Sequence, residues 1–336
     1  MSAAAPRLTI GLPVRNGAAY LERCLTSLLD QDFSDLVVIV SDNASTDDTS
    51  DIARDIARSD PRVRYRRQPV DVGANANFND TFRGCNTELF KWAAVDDLIA
   101  PRLLSACVDA LDADADAVLA YGKPHLIDET DVVLSEPLEC VTPPPSAHAV
   151  ERFAEVLAHE VWCTPIFGVI RADTLRRTKL LRPFYGADKV LLAELSLVGR
   201  FACVEPEFFR RCHENQSTVL DARGKATWTT GRRRAGRVPA VVHAVRAYTE
   251  IAAKADLEAK DRVRALAAIA RLSVAGDKWR KLLLPGPYNY LGWRGQDRSA
   301  AYAKLDLRPT GVQALAGAEH RANCNPPAAA EAPTPG

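Results

Sequence analysis

The sequence predicts an α/β fold, a mainly parallel mixed sheet between helices, with a helical C-terminal region after it. Three observations predict it. Strand-sized apolar runs alternate with helix-period segments over residues 8–121, which implies βαβ units and a mostly parallel sheet. Three of those runs, ending at Val14, Val40 and Val95, stop abruptly at polar strings, and in such sheets ligands bind beyond the carboxyl ends of the strands. From 239 to 284 the pattern becomes helical and rich in Ala, Arg and Leu.

The elements follow in order. Residues 8–14 are an apolar run ending near Pro13, Asn16 and Gly17, read as a buried strand entering a turn. Residues 19–31 carry Leu21, Leu25, Leu28 and Leu29 at helical spacing. A second buried strand covers 36–40, and a helix over 49–58 follows, with Asp47 or Asp48 as its cap. Residues 63–66 read as a short strand, 77–85 as a helix, 89–95 as a strand, 101–111 as a helix and 117–121 as a strand. After Tyr121 the pattern loosens. Pro143-Pro144-Pro145 marks a loop; 150–159 and 190–198 read as helices; 162–171, 201–204 and 208–211 read as strands. The Ala/Pro-rich end, 321–336, reads as a disordered tail.

Composition excludes some functions. Lys+Arg and Asp+Glu are both 43, so no net field draws the chain to nucleic acid. The first seven residues lack the basic and apolar regions of a signal peptide, and no apolar run approaches the length of a membrane span. The expected location is therefore the cytoplasm. Eight cysteines without a CxxC pair read as reduced, mostly buried residues.

Four constellations carry chemistry, each with a plainer alternative. Ser41-Asp42-Asn43-Ala44-Ser45-Thr46-Asp47-Asp48 follows a buried strand, so Asp42 can accept from a base N–H or a ribose hydroxyl; the alternative is a capping loop. Asp96-Asp97 brings two carboxylates together at a strand end. A hard divalent cation bridging to phosphate oxygens would explain the pairing; the alternative is that Asp97 caps the next helix. Asp188, in Tyr185-Gly186-Ala187-Asp188, stands just ahead of a helix, as a functional carboxylate or a simple N-cap. Phe209-Arg210-Arg211-Cys212-His213 supplies cations and an imidazole that can neutralise a diphosphate or ligate a metal.

In this order the segments resemble the family 2 glycosyltransferases, which have the GT-A fold. The matching segments are Leu12-Pro13-Val14-Arg15-Asn16, Val40-Ser41-Asp42 through Asp47, Val72-Gly73-Ala74-Asn75-Ala76-Asn77, Val95-Asp96-Asp97 with Pro101 following, Ala187-Asp188, and 209–217. The resemblance covers about residues 7–220. It implies an inverting transferase that moves a sugar from a UDP-, dTDP- or GDP-linked donor, assisted by Mn²⁺ or Mg²⁺. Pro13, Arg15 and Asn16 would lie beneath the nucleotide, Asp42 would read the base, and Gly73 and Asn77 would close over the nucleoside. Asp96 would hold the ribose, Asp97 would ligate the metal with His213 as a second ligand, and Asp188 would be the general base. Arg210 and Arg211 would face the diphosphate, and Trp162 and Tyr185 the acceptor. Arg15 replaces a common aromatic, no earlier Asp precedes Asp96-Asp97, and Ala187 stands where an acid is common.

The implied division is a transferase domain over 1–225, split into a nucleotide-binding half at 7–122 and an acceptor-binding half at 123–225. A helical region at 226–320 and the tail follow. The acceptor is a glycan, a glycolipid or a small-molecule hydroxyl. Residues 278–293 mix Lys and Arg with Trp and Tyr, which suits a peripheral contact on the inner membrane face, a buried helix or a homo-oligomer contact. Two rivals remain: a sugar nucleotidyltransferase, and a scaffold of the same fold that transfers nothing. A dehydrogenase is disfavoured, because the loop after Val14 lacks G-x-G-x-x-G.

Overall fold

The structure is a computed structural model that describes residues 5–134, 148–159, 163–213, 217, 220–232 and 238–274. The expectations for 143–145, Trp162, 278–293 and the tail lie outside the described residues.

Among the described residues the core is an eight-stranded sheet of order β3-β2-β1-β4-β7-β6-β8-β5. β1 (Leu8–Val14), β2 (Leu36–Asp42), β3 (Val63–Arg67) and β4 (Leu89–Trp92) run parallel. β7 (Val169–Arg171) is antiparallel to both β4 and β6 (Ala117–Ile127). β8 (Arg200–Arg211) is parallel to β6, and the two-residue β5 (Leu98–Ile99) is antiparallel to β8. Mainly parallel and mixed is what the alternating sequence pattern predicts. The strands β1 and β4 and the first half of β6 are buried on both faces because helices cover both.

One face carries α1 (Leu21–Leu29), α2 (Thr49–Ser59) and α4 (Leu103–Ala113); Leu21, Cys24, Leu25 and Leu28 form the buried stripe of α1. The other face carries α3 (Ala74–Phe82), α5 (Ala149–His159) and α7 (Ala187–Val198), with α9 (Ala240–Lys254) and α10 (Ala259–Val274) in the same core through Tyr248, Ile251, Ala252 and Ile269. Gly11 sets how closely α3 lies on β1: a Cβ there would meet the Thr81 hydroxyl at 2.2 Å. Two further helices are short, α6 (Ala172–Arg176) and α8 (Ala222–Thr230).

Several boundaries differ from the sequence reading, each for a local reason. The helix expected over 77–85 begins at Ala74, where Gly73, at φ +85°, turns the chain into it. The strand expected over 89–95 stops at Trp92, so Asp96 sits in a turn and Asp97 immediately before β5. The strand expected over 162–171 is a short 3-10 helix, Thr164–Phe167, led by Pro165, and only Val169–Arg171 is strand. The two strands expected over 201–211 are one. Pro206 falls where the β6–β8 register shifts between Gly122 and Lys123, so the proline breaks no ladder bond. The helix expected over 190–198 starts at Ala187, which puts Asp188 in its first turn rather than ahead of it.

Candidate functional site

The ends of β1, β2 and β3 form one side of the site. Register puts Pro13 beside Ser41 and Asp42 beside Arg67. Pro13 is buried in β1, and Asn16 follows in a left-handed conformation at φ 52°. Asn16 ties the loops together: its Oδ1 accepts from Thr46 N at 2.8 Å, and its own N–H donates to Ser45 Oγ at 2.9 Å. The Arg15 guanidinium donates to the carbonyls of Asn43 and Ala44 at 2.7 and 2.8 Å and lies 3.4 Å from the Asp71 carboxylate. Asp71 also accepts from Asn43 Nδ2 and from Gly73 N.

Asp42 is turned inward. Its side chain is 0 % exposed, and its oxygens accept from Ser45 N at 2.7 Å, the Tyr65 hydroxyl at 2.8 Å and Arg67 at 2.8 Å. Asn77 is equally committed, with Nδ2 donating to Ser41 O and Oδ1 accepting from Ser41 Oγ. Gly73 is overlain by the end of α8; a Cβ there would come within 2.3 Å of the Thr230 carbonyl carbon. Sequence reading passed over Tyr65 and Arg67, although β3 following β2 in a parallel sheet makes their ends neighbours.

The acid turn is the second part. Gly17 abuts Val95, since a Cβ on it would lie 3.0 Å from the Val95 side chain, so the loop after β1 borders the turn. Asp97 is only 7 % exposed. Its Oδ1 accepts from Arg211 N at 2.9 Å, and burial, with Asp96 adding repulsion, pushes its carboxyl up to about 8. Asp96 is the more open of the two, with its side chain 25 % exposed and Oδ2 3.0 Å from His213 Nε2. His213 lies against the Tyr20 ring at 5.5 Å. Arg211, expected to face a diphosphate, is 1 % exposed and committed elsewhere. It donates to the carbonyls of Asp96 and Asp128, pairs with Asp131 and lies over Tyr20. Its role here is to hold the turn in shape.

The third part is the start of α7. Gly186, at φ +86°, leads into the helix. Asp188 Oδ1 accepts from Lys189 N at 2.9 Å, and burial raises its carboxyl above the usual range, opposed by that hydrogen bond and by Arg210. Burial, with the Asp188 charge adding to it, raises the Tyr185 hydroxyl to about 12, and the Lys225 ammonium stands 5.0 Å over the Tyr185 ring.

Arg210 joins the second and third parts: its charge acts on Asp97, Asp188 and Tyr185 alike. Asp96 and His213 are in direct contact beside Asp97, Tyr185 and Asp188 flank the start of α7, and Arg210 is within electrostatic range of both groups. Pro13, Arg15, Asn16, Asp42, Gly73 and Asn77 gather at the adjoining strand ends, with Asp42 and Asn77 facing into the protein. Asn75 and Asn79, which the sequence reading did not single out, link the two groups. Asn75 donates to the carbonyls of Arg182 and Phe184, and Asn79 exchanges two bonds with Leu181. Their i, i+4 spacing puts them on one helix face, a signal present in the sequence. Among the described residues no helix is long and apolar enough to cross a membrane, and the six described cysteines are free.

Residues 9–148 match the family model described as "Glycosyl transferase family 2". A GalNAc(5)-diNAcBac-PP-undecaprenol beta-1,3-glucosyltransferase of Campylobacter jejuni is 26% identical over 195 residues, which are 56% of this chain and 60% of that protein. The chondroitin synthase of Escherichia coli is 30% identical over 130 residues, 39% of this chain and 19% of that protein. The chain thus spans less than two thirds of either relative. Among solved structures, S. aureus TarS 1-349 in complex with UDP superposes with a TM-score of 0.59 at 14% identity, over 85% of this chain and 78% of that one. The mannosyltransferase PcManGT from Pyrobaculum calidifontis, in complex with GDP-Man and Mn²⁺, gives 0.51 at 20% identity, over 94% and 80%. The likeness to these structures is one of fold, the GT-A fold.

Proposed function

From the match of residues 9–148 to the family model "Glycosyl transferase family 2", we propose that this chain moves a sugar from a nucleoside-diphosphate donor to an acceptor hydroxyl, inverting the anomeric centre, with Asp188 as the general base. What supports the reading is the family match over residues 9–148, with Asp97 held against the end of β8 by Arg211 N and Asp188 at the start of α7, 91 positions on in sequence. Carboxylates whose protonation is raised by burial mark a functional site.

The donor base is uracil, thymine or guanine, set against the Arg15 guanidinium, whose plane can stack where an aromatic ring would. Asn16 and Asp71–Gly73 border it. Asp42 lies behind this surface and keeps the loop in shape. It would reach the base only by giving up Arg67 or Tyr65.

The residues present fit a divalent cation. Asp96 Oδ2 and His213 Nε2 stand 3.0 Å apart beside Asp97. No cluster of three or more ligating groups occurs among the described residues, which suits an ion that takes one or two carboxylates and completes its shell with phosphate oxygens and water. Asp97, with one of Asp96 and His213, would hold Mn²⁺ or Mg²⁺, and the cation would neutralise charge on the departing diphosphate.

Asp188 uses Oδ1 to accept from Lys189 N, which leaves Oδ2 for the proton of the acceptor hydroxyl. Its raised affinity for protons makes it a stronger base than a solvated aspartate. Arg210 keeps it ionised and adds positive charge on the diphosphate side. Tyr185, protonated at neutral pH, presents a ring and a hydroxyl to the acceptor. That acceptor is a glycan or glycolipid hydroxyl.

The competing reading, a scaffold that transfers nothing, draws on Asp42, whose oxygens are already bonded within the protein. A thermal-shift screen of UDP-, dTDP- and GDP-sugars with Mn²⁺ separates the two. One base is expected to raise the melting temperature, by the equivalent of about 2.7 kcal/mol at a hundredfold excess over Kd, and EDTA is expected to remove most of the gain. No shift with any nucleotide would favour the scaffold.

A further inference from the structure

We propose that Asn75 and Asn79 are positioning residues that hand the seating of the donor at Gly73 on to the base Asp188, through the loop that opens α7. The proposal rests on the reading of Asp188 as the base.

The helix α3 begins immediately after Gly73, at the donor side. Its asparagines divide by helical geometry. Asn77 faces Ser41, while Asn75 and Asn79, four apart, face the segment 178–186. That segment has no regular structure of its own and contains two left-handed residues, Leu180 at φ 54° and Gly186 at φ +86°. Asn79 grips it as a strand would, with Nδ2 donating to Leu181 O at 2.8 Å and Leu181 N donating back to Oδ1 at 3.0 Å. Asn75, 9 % exposed, donates to Arg182 O at 2.6 Å and Phe184 O at 3.2 Å. Four residues beyond Phe184 comes Asp188.

The segment is gripped from the opposite side as well. Glu250 of α9 pairs with Lys179 at 2.5 Å and Arg182 at 2.8 Å, and the Phe184 ring stacks on His243 at 5.4 Å. The two grips differ in kind. The Glu250 pairs are partly exposed, so solvent and salt weaken them. Of the asparagine bonds, the one from Asn75 to Phe184 O is buried and the other three are part-buried, and a buried amide left without its partner is costly. The α3 grip therefore sets the position of the segment. A catalytic group displaced by about 1 Å loses on the order of a hundredfold in rate.

The test is hydrogen–deuterium exchange on the full chain, comparing the parent with Asn79→Ala and Asn75→Ala. Turnover of UDP-GlcNAc and GDP-mannose with Mn²⁺ is measured alongside. Amides over 183–190 are expected to exchange about tenfold faster in Asn79→Ala, while those of β1 and β2 stay at the parent rate. Donor turnover is expected to fall about tenfold in kcat with KM within twofold. Asn79→Asp, which keeps the oxygen that accepts from Leu181 N, is expected to lie between. Unchanged exchange over 183–190 overturns the proposal, and so does faster exchange spread evenly over the whole sheet. If Asp188→Asn instead turns over donor at the parent rate, the base assignment falls, and with it the catalytic meaning of the grip, even where exchange shows the grip itself.

Discussion

The two ends of the site use the same residue types in opposite ways. At the donor end the polar side chains satisfy one another: Asp42 is bonded to Ser45, Tyr65 and Arg67, Asn77 to Ser41, and Asn43 to Asp71 and Val72. At the acid end, burial raises the proton affinity of Asp97 and Asp188, and Arg210 offsets it for both. The first arrangement fixes the shape of the loops at the strand ends. The second holds charge in a dry place, where it acts strongly on whatever enters. An aspartate at a strand end therefore has no single meaning; its partners decide whether it builds the site or reacts in it.

That contrast can be broken by substitution. The largest effect on folding is expected at the donor end. Asn77→Ala leaves Ser41 O and Oγ buried without their partner and should cost about 2 kcal/mol in urea unfolding. A change within a few tenths would show that the donor loop does not depend on these bonds.

At the acid end a smaller effect is expected, and it is electrical rather than structural. On the proposed reading Asp188 acts as a base only when ionised, and its protonation is raised, so the rate should fall as pH drops through a limb above the usual aspartate value. Arg210 opposes that rise, so Arg210→Gln should move the limb of kcat/KM to higher pH. The rate should fall severalfold near neutrality and partly recover in alkali. Unfolding in urea should change little. A limb that stays put would separate Arg210 from the base.

The contrast also explains what could be read from the sequence. The alternation of apolar strands and helices gave the sheet, and the polar strings after Val14 and Val40 fall at or next to strand ends, while the string after Val95 begins three residues beyond the end of β4 at Trp92. Asp96, Asp97, Asp188 and His213 stood out in the sequence as candidate chemistry-bearing residues, and the structure shows Asp96 against His213 and Asp97 buried. What could not be read was which way a side chain turns. Asp42 is enclosed because Arg67 arrives from a different strand, and Arg211 is spent on Asp128 and Asp131, a loop with no pattern of its own. The strands expected over 201–204 and 208–211 are one, because a register shift against β6 absorbs Pro206. Helix starts were missed by about a turn at Ala74 and Ala187, where a left-handed glycine, Gly73 or Gly186, begins the helix without a side-chain cap.

The most direct test is the single-turnover rate of Asp188→Asn, measured beside its donor affinity by calorimetry. A loss of about a thousandfold in transfer is expected, with the donor Kd within twofold of the parent. Transfer that persists at the parent rate would contradict the account, and so would donor binding that is lost along with it.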